Sequence, residues 1–385
     1  MRARRLVVLS ATAAIGVPTV AAAAHAATGP APSARMTAPA RTPAAAPMRV
    51  SPPPTAATPE STQAVSGGRA PAPTPVAADN DVSSPPLDRR AADDALAYWT
   101  PARMAAAKPL ALPSGSEGRQ STSPPGKPVA VPRTADPQTG TSVGGAAAGV
   151  PRPYTTAPAR TEVKIFFIED GEEYVCSGTV VNSRSKRMVD TAGHCVSDGA
   201  GNYHSDFVVV PAYSSRCSGC ADEPYGAWTA RTVTTRAEWH LHANLKQDLA
   251  YIVTDDRNGR RIADVVGGVG TKFDISRNQQ WAATGYPADS PFNGDDLFVS
   301  LSGRVADDDP DAGTGSSTIG IACNMTHGSS GGGWMTGPYT NGIGYLNGHN
   351  SYRPTEGPLS NPDLMFGPYY GDEALALFNY TAELG

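Results

Sequence analysis

The chain has 385 residues, a net charge of −5, 36 prolines and 40 glycines. It carries no basic stripe interleaved with aromatics, which excludes nucleic acid and anionic membrane as implied partners. Proline and alanine crowd roughly the first 150 positions while aromatic and β-branched residues lie mostly beyond them, so only the second half can bury a core.

In chain order, Arg2, Arg4 and Arg5 precede a mostly apolar run from Leu6 to Val20, and Ala24-His25-Ala26 has the small-x-small form of a cleavage point. The pattern predicts a secretory signal peptide over residues 1–27. The run falls short of the about 20 apolar residues a membrane span needs, and alanine, glycine and threonine dilute it. A secreted, extracellular product is expected, without membrane association once the signal is cut, where disulfides persist.

Residues 28–157, with stretches such as "APSARMTAPARTPAAAPMRVSPPPTAATP", hold too little apolar bulk to offset the entropy of ordering them. They read as disordered, either a spacer or a pro-segment that assists folding or masks an active site. One island, "DRRAADDALAYWTPARMAAA" over 88–107, favours a short helix.

Beyond residue 158 the texture changes to short strand-like runs broken by Gly, Pro, Asn and Asp. These are "EVKIFFIE", "YVCSGTVVN", "DFVVVPAY", "AWTARTVTT", "LAYIVT", "QWAATGY", "LFVSLSGRV", "STIGIA" and "NGIGYLNG". Such spacing predicts an all-β sandwich or barrels. "DEALALFNY", from Asp372 to Tyr380, predicts a terminal helix whose acidic start suits its N-terminus.

Acyl transfer by serine needs a base for the hydroxyl proton, a carboxylate to hold that base in the right tautomer, and N–H donors for the oxyanion. His194 lies in "DTAGHCV" just after a strand, Asp248 opens a strand in "QDLAYIV", and Ser330 lies in "GSSGGG". Gly328 lets its own N–H and that of Ser330 turn toward one spot, and Gly331 and Gly332 are expected to keep side chains out of the path of a substrate carbonyl.

Thr191-Ala192-Gly193-His194-Cys195 and Gly328-Ser329-Ser330-Gly331-Gly332-Gly333, with Asp248-Leu249-Ala250 between them, resemble the motifs of the chymotrypsin-like serine peptidases. "TGYP" at Thr284 to Pro287 is similar to glutamyl endopeptidases and other bacterial members more than to trypsins. The resemblance implies two packed antiparallel six-stranded β-barrels with a C-terminal helix over residues 158–385. It also implies a secreted endopeptidase acting on polypeptides, expected to be monomeric, with no cofactor. His194 is then general base and acid, Asp248 its orienter, Ser330 the nucleophile, and Gly328 and Ser330 the oxyanion donors. Ser329 replaces the aspartate that trypsin-like zymogens pair with a new N-terminal ammonium, so activation is expected by unmasking or release of the domain.

The resemblance further implies a disulfide between Cys176 and Cys195, which would stabilise by about 3 kcal/mol in the chain-entropy picture. Cys217 and Cys220 pair locally, or one of them reaches Cys323. A zinc site at Cys217-x-x-Cys220 with His240-x-His242, two rings on one face of a strand, is the rival reading. "ADDDPDAGTG", with the carboxylates from Asp307 to Asp311, is either a solvated acidic loop or a calcium loop. By resemblance Asn324 lines the base of the primary pocket, uncharged and so unsuited to Lys or Arg. Leu346, Asn347 and Gly348 form a wall, and His327 and His349 are candidates to receive an acidic side chain. A binding module or inactive relative on the same fold, or an esterase, are the alternatives to a peptidase.

Overall fold

Along "EVKIFFIE" successive side chains face opposite ways. Val163, Ile165 and Phe167 enter one buried cluster and Phe166 enters another. A strand apolar on both faces is a strand covered on both. The computed structural model describes residues 81–83, 89–115, 126–133, 146–152, 154–215, 223–310, 315–337 and 344–385.

Six strands form the first barrel: β1 (Glu162–Glu169), β2 (Glu172–Val180), β3 (Met188–Thr191), β4 (Ser205–Pro211), β5 (Trp228–Arg236) and β6 (Ala250–Thr254). Their order is β5-β6-β3-β2-β1-β4, all antiparallel, and the sheet closes because β5 also pairs with β4. Val163, Ile165, Val189, Val209, Val233 and Ile252 fill its interior.

The second barrel consists of β7 (Gln280–Gly285), β8 (Phe298–Asp308), β9 (Thr318–Ala322), β10 (Gly333–Thr336), β11 (Tyr345–His349) and β12 (Leu364–Gly367). Their order is β12-β9-β8-β7-β10-β11. The two ends meet just past β11, where Ser351 N–H donates to the Phe366 carbonyl at 2.9 Å and Phe366 N–H to Tyr352 at 3.0 Å. Trp281, Ile319, Ile321, Trp334 and Met365 pack together within it.

Preceding both barrels are helices α1 (Arg89–Tyr98) and α2 (Pro101–Ala106). The break between them falls at Trp99 and Thr100. Thr100 caps α2, and Pro101 sits at its first position, where a missing N–H is harmless. The expectation of disorder up to residue 157 is corrected for the described residues from 89 onward. Ala95, Trp99 and Met104 bury themselves beside Phe166, Val175, Val208 and Tyr213 on the outside of the first barrel. The Trp99 indole N–H also donates to the Asp206 carbonyl at 2.7 Å. A few well-placed apolar side chains, meeting an outer face already apolar, order a stretch whose average composition is poor in them.

From there Lys108–Pro109 runs beside β2, Ser114–Gly115 beside Arg353–Pro354, Val129–Val131 beside Thr271–Phe273, and Ala148–Gly149 beside β8. The signal-peptide reading of 1–27 lies outside the described residues. Among the described residues no helix is long and apolar enough to cross a membrane.

Helix α3 (Ala237–His242) follows β5, and α4 (Asp372–Ala382) closes the chain with Asp372 and Glu373 in its first turn. Phe378 of α4 sets its ring 5.8 Å from Tyr251 on β6 and 5.5 Å from Phe273.

Candidate active site

His194 sits in a single turn that begins as β3 ends. Gly193 is required there, since a Cβ would lie 2.6 Å from the Trp239 ring and 2.9 Å from an Asp248 oxygen. A disulfide from Cys195 to Cys176 on β2 ties the turn down. Asp248 precedes β6, and β6 pairs with β3 through Ala250 and Thr191, so sheet register alone brings the aspartate to the histidine. The His194 backbone N–H donates to Asp248 Oδ1 at 2.7 Å and the ring Nδ1–H to Oδ2 at 2.8 Å. Ser351 adds its hydroxyl to Oδ2 at 2.5 Å.

Ser330 arrives from the second barrel on the loop before β10. The left-handed turn at Gly328 (φ 86°) shapes that loop. Ser177 on β2 fastens it to the first barrel, donating its N–H to the Ser330 carbonyl at 2.7 Å and its hydroxyl to the Gly328 carbonyl at 2.9 Å. The Ser330 hydroxyl and His194 Nε2 are both buried, and neither has a hydrogen-bond partner among the described residues. Ser329 turns its own hydroxyl back to the Thr326 carbonyl at 2.7 Å.

Burial alone would raise the Asp248 carboxyl. The charge of His194 and its hydrogen bond, with His349 and Ser351 behind them, bring it below its ordinary value instead. A stable carboxylate facing Nδ1 leaves the other ring nitrogen as the one that can accept a proton. His204 supports the turn from beneath, donating Nε2–H to the His194 carbonyl at 3.1 Å, and burial pulls its imidazole down to about 4.

Crystal structures of two proteases match the chain. Protease Anisep from Arthrobacter nicotinovorans is 39 % identical, over 60 % of this chain and 98 % of that one, with a TM-score of 0.51. AL20, a thermostable serine protease from an extremophilic microorganism, is 35 % identical, over 59 % and 99 %, with a TM-score of 0.50. The chain belongs to the chymotrypsin-like serine peptidase family. No family model and no curated protein sequence matches it.

The residues expected to form a substrate wall are held by the protein itself. Leu346 is buried in a cluster with Met335 and Phe273, and Asn347 donates to the Lys272 carbonyl at 2.8 Å. Gly348 lies against the Trp334 ring, 2.8 Å from where its Cβ would be. The residue that reaches Asp248 is Ser351, two positions past β11. Arg353 donates to the carbonyls of Leu364 at 2.7 Å, Cys323 at 3.2 Å and Met325.

Asn324 accepts the Ala147 N–H at 2.9 Å. His327 pairs with Asp289 at 2.7 Å and lines, with Arg353, a cavity of about 360 Å³. Gly331 and Gly332 avoid protein rather than substrate. A Cβ would lie 2.2 Å from Thr191 Oγ1 at the first and 2.1 Å from the Thr284 carbonyl oxygen at the second.

His349, expected as a candidate to receive an acidic side chain, is turned into the protein instead. It is fully buried, donates Nε2–H to the Asp248 carbonyl at 2.9 Å, and directs Nδ1 at Asp190 (3.3 Å) and the Tyr370 hydroxyl (2.8 Å). Tyr370 donates in turn to both Asp190 oxygens, at 2.7 and 2.8 Å. Burial alone would lower the His349 imidazole, but the hydrogen bond and charge of Asp190, with Asp248, carry it above its ordinary value. Asp190 and Tyr370 escaped the reading of the sequence. The one available signal was an aspartate inside the apolar strand "MVDT".

The metal readings meet different surroundings. His240 and His242 lie on α3, not on a strand, so two-residue spacing turns them to different sides. His240 is buried against Ser197 Oγ at 2.7 Å. Cys217 and Cys220 lie outside the described residues, and Cys323 is free and buried. Cys176, His194 and Cys195 cluster closely, but both sulfurs are spent in the disulfide and offer no thiolate. Asp307 pairs with Arg277 and Arg304, Asp308 accepts from Tyr352 at 2.7 Å, and Asp309 pairs with Lys246 at 2.8 Å. These carboxylates face cations and hydroxyls, and Asp311 lies outside the described residues.

Proposed function

We propose that the chain is a secreted serine endopeptidase working through an acyl-enzyme. His194 Nε2 takes the Ser330 hydroxyl proton as the oxygen attacks a peptide carbonyl, and the N–H groups of Gly328 and Ser330 hold the oxyanion. The imidazolium then gives its proton to the departing amine, leaving an ester on Ser330. Water, deprotonated by the same nitrogen, hydrolyses the ester and restores the enzyme. Asp248 keeps its negative charge throughout and fixes the tautomer.

The observation that carries this reading is the His194 ring, held by Asp248 through Nδ1 while Nε2 and the Ser330 hydroxyl stay buried without partners among the described residues. The disulfide between Cys176 and Cys195 agrees with export to an oxidising compartment. A fluorophosphonate probe should label Ser330 and fail to label Ser330→Ala, and a peptide library should be cut where an ester library alone would indicate an esterase. Labelling that persists in Ser330→Ala would refute the assignment.

A further inference from the structure

We propose that residues 108–115 are a built-in inhibitor lying back to front in the catalytic cleft, a regulation that rests on the serine-peptidase reading of the same site. The stretch crosses the cleft from wall to wall. Leu110 N–H donates to the Val175 carbonyl on β2 at 3.1 Å, and its own carbonyl accepts from Gly328 N–H at 3.3 Å. Farther along, Arg353 N–H donates to Pro113 at 3.4 Å and Thr355 N–H to Gly115 at 3.3 Å. The Leu110 carbonyl thus takes one of the donors assigned to the oxyanion. Ser330 beneath is fully buried and His194 only 5 % exposed.

Direction is what separates this stretch from a substrate. The departing amine must receive its proton from His194, whose turn is joined to β2 by the disulfide. A substrate therefore lays the residues after its cut bond along β2 and those before it along 351–355. Residues 108–115 do the reverse, and both of their pairings, with Tyr174–Val175 and with Arg353–Pro354, are parallel. The amide nitrogen of Ala111 consequently lies on the 351–355 side of the Leu110 carbonyl. Attack by Ser330 there would need the Leu110–Ala111 C–N bond to break with no proton delivered to nitrogen, so the strand occupies the site without being consumed.

Side chains hold it in place. Trp99 and Met104 anchor the preceding helices in the outer face of the first barrel. Arg103 and Tyr98 both engage Glu173, and Lys108 reaches Glu172. Leu112 packs against the cluster containing Cys323 and Met325. Gly115 presses on Tyr352 so closely that a Cβ would lie 2.7 Å from the ring.

The test uses the full chain, with the rate of Ser330 labelling by a fluorophosphonate as readout. Gly115→Leu should push the strand off Tyr352, and Trp99→Ala with Met104→Ala should loosen its anchor. Each variant should label at least tenfold faster than the parent. Adding a synthetic peptide of residues 96–115 should slow labelling again, with the peptide's mass unchanged after incubation. The outer-anchor variant puts barrel stability at risk, so Gly115→Leu, checked by cooperative melting, decides if the other fails to fold. A parent chain labelled as fast as Gly115→Leu overturns the inhibitor and leaves the peptidase intact. Cleavage of the peptide after Leu110 overturns the reversed direction. Absence of labelling in every form, peptide-free variants included, overturns the catalytic reading and the inhibitor with it.

Discussion

Two histidine–aspartate pairs meet at Asp248, and they differ in one valence. His194 gives Nδ1–H to the Asp248 carboxylate and keeps Nε2 unpartnered among the described residues, whereas His349 gives Nε2–H to the Asp248 carbonyl and spends Nδ1 on Asp190 and Tyr370. Both rings are buried and each faces a carboxylate. The first keeps a nitrogen available for chemistry, and the second, with every hydrogen-bonding group matched, holds β3, β11 and the residues before β6 together. A buried imidazole becomes a tool through what it leaves unsatisfied.

The widest separation should come from His194→Ala. Peptide hydrolysis should fall by roughly 10⁴- to 10⁶-fold while melting temperature stays near the parent's, measured by steady-state kinetics and calorimetry. Asp248→Asn, which preserves shape and exchanges the tautomer, should lower kcat by about 10⁴-fold. Retention of most activity would show that the first pair is as structural as the second.

Asp190→Asn should act in the opposite currency. Removing the carboxylate beside a buried imidazole should lower unfolding free energy by about 3–5 kcal/mol, read by urea titration, with kcat of the folded fraction within about tenfold of the parent's. A large kcat loss at unchanged stability would give the second pair a share in the chemistry.

Smallest is the effect at Glu162, a buried acid facing no imidazole. Burial, against hydrogen bonds from Thr284 and Thr179, pushes its carboxyl up to about 8. A raised carboxyl means the native state holds the extra proton, so its stabilisation is complete at acid pH and drains as pH climbs through 8. Unfolding free energy should therefore decline by about 3–4 kcal/mol between pH 5 and 8, and Glu162→Gln should flatten that slope.

What could be read beforehand was whatever is local. His194 and Ser330 sit in short segments marked by glycines that close contacts with neighbouring segments require, and the longer strands of both barrels announce themselves by apolar runs and turn residues. Strands as short as Met188–Thr191, Gly333–Thr336 and Leu364–Gly367 give too few residues for a period to show. The second pair was invisible because its partners, Asp190 and His349, stand 159 residues apart. The link from Ser351 to Asp248 leaves no mark in the sequence, since a lone serine hydroxyl forms no local pattern. Within the Ala/Pro-rich stretch, the described residues from 89 onward depart from the expected disorder, and for a different reason. Composition averages away single anchors such as Trp99 and Met104, and much of the contact from 108 to 115 is through backbone groups that any residue supplies. A hint was nonetheless present in "IFFI", where Phe166 shows that the outside of β1 needs a coat.

That coat has a thermodynamic aftermath. Loss of residues 89–106 would take the Ala95, Trp99 and Met104 side chains away from the outer face that carries Phe166, Val175, Val208 and Tyr213. The barrel without them would expose more apolar surface to water and present an oily flank to other molecules.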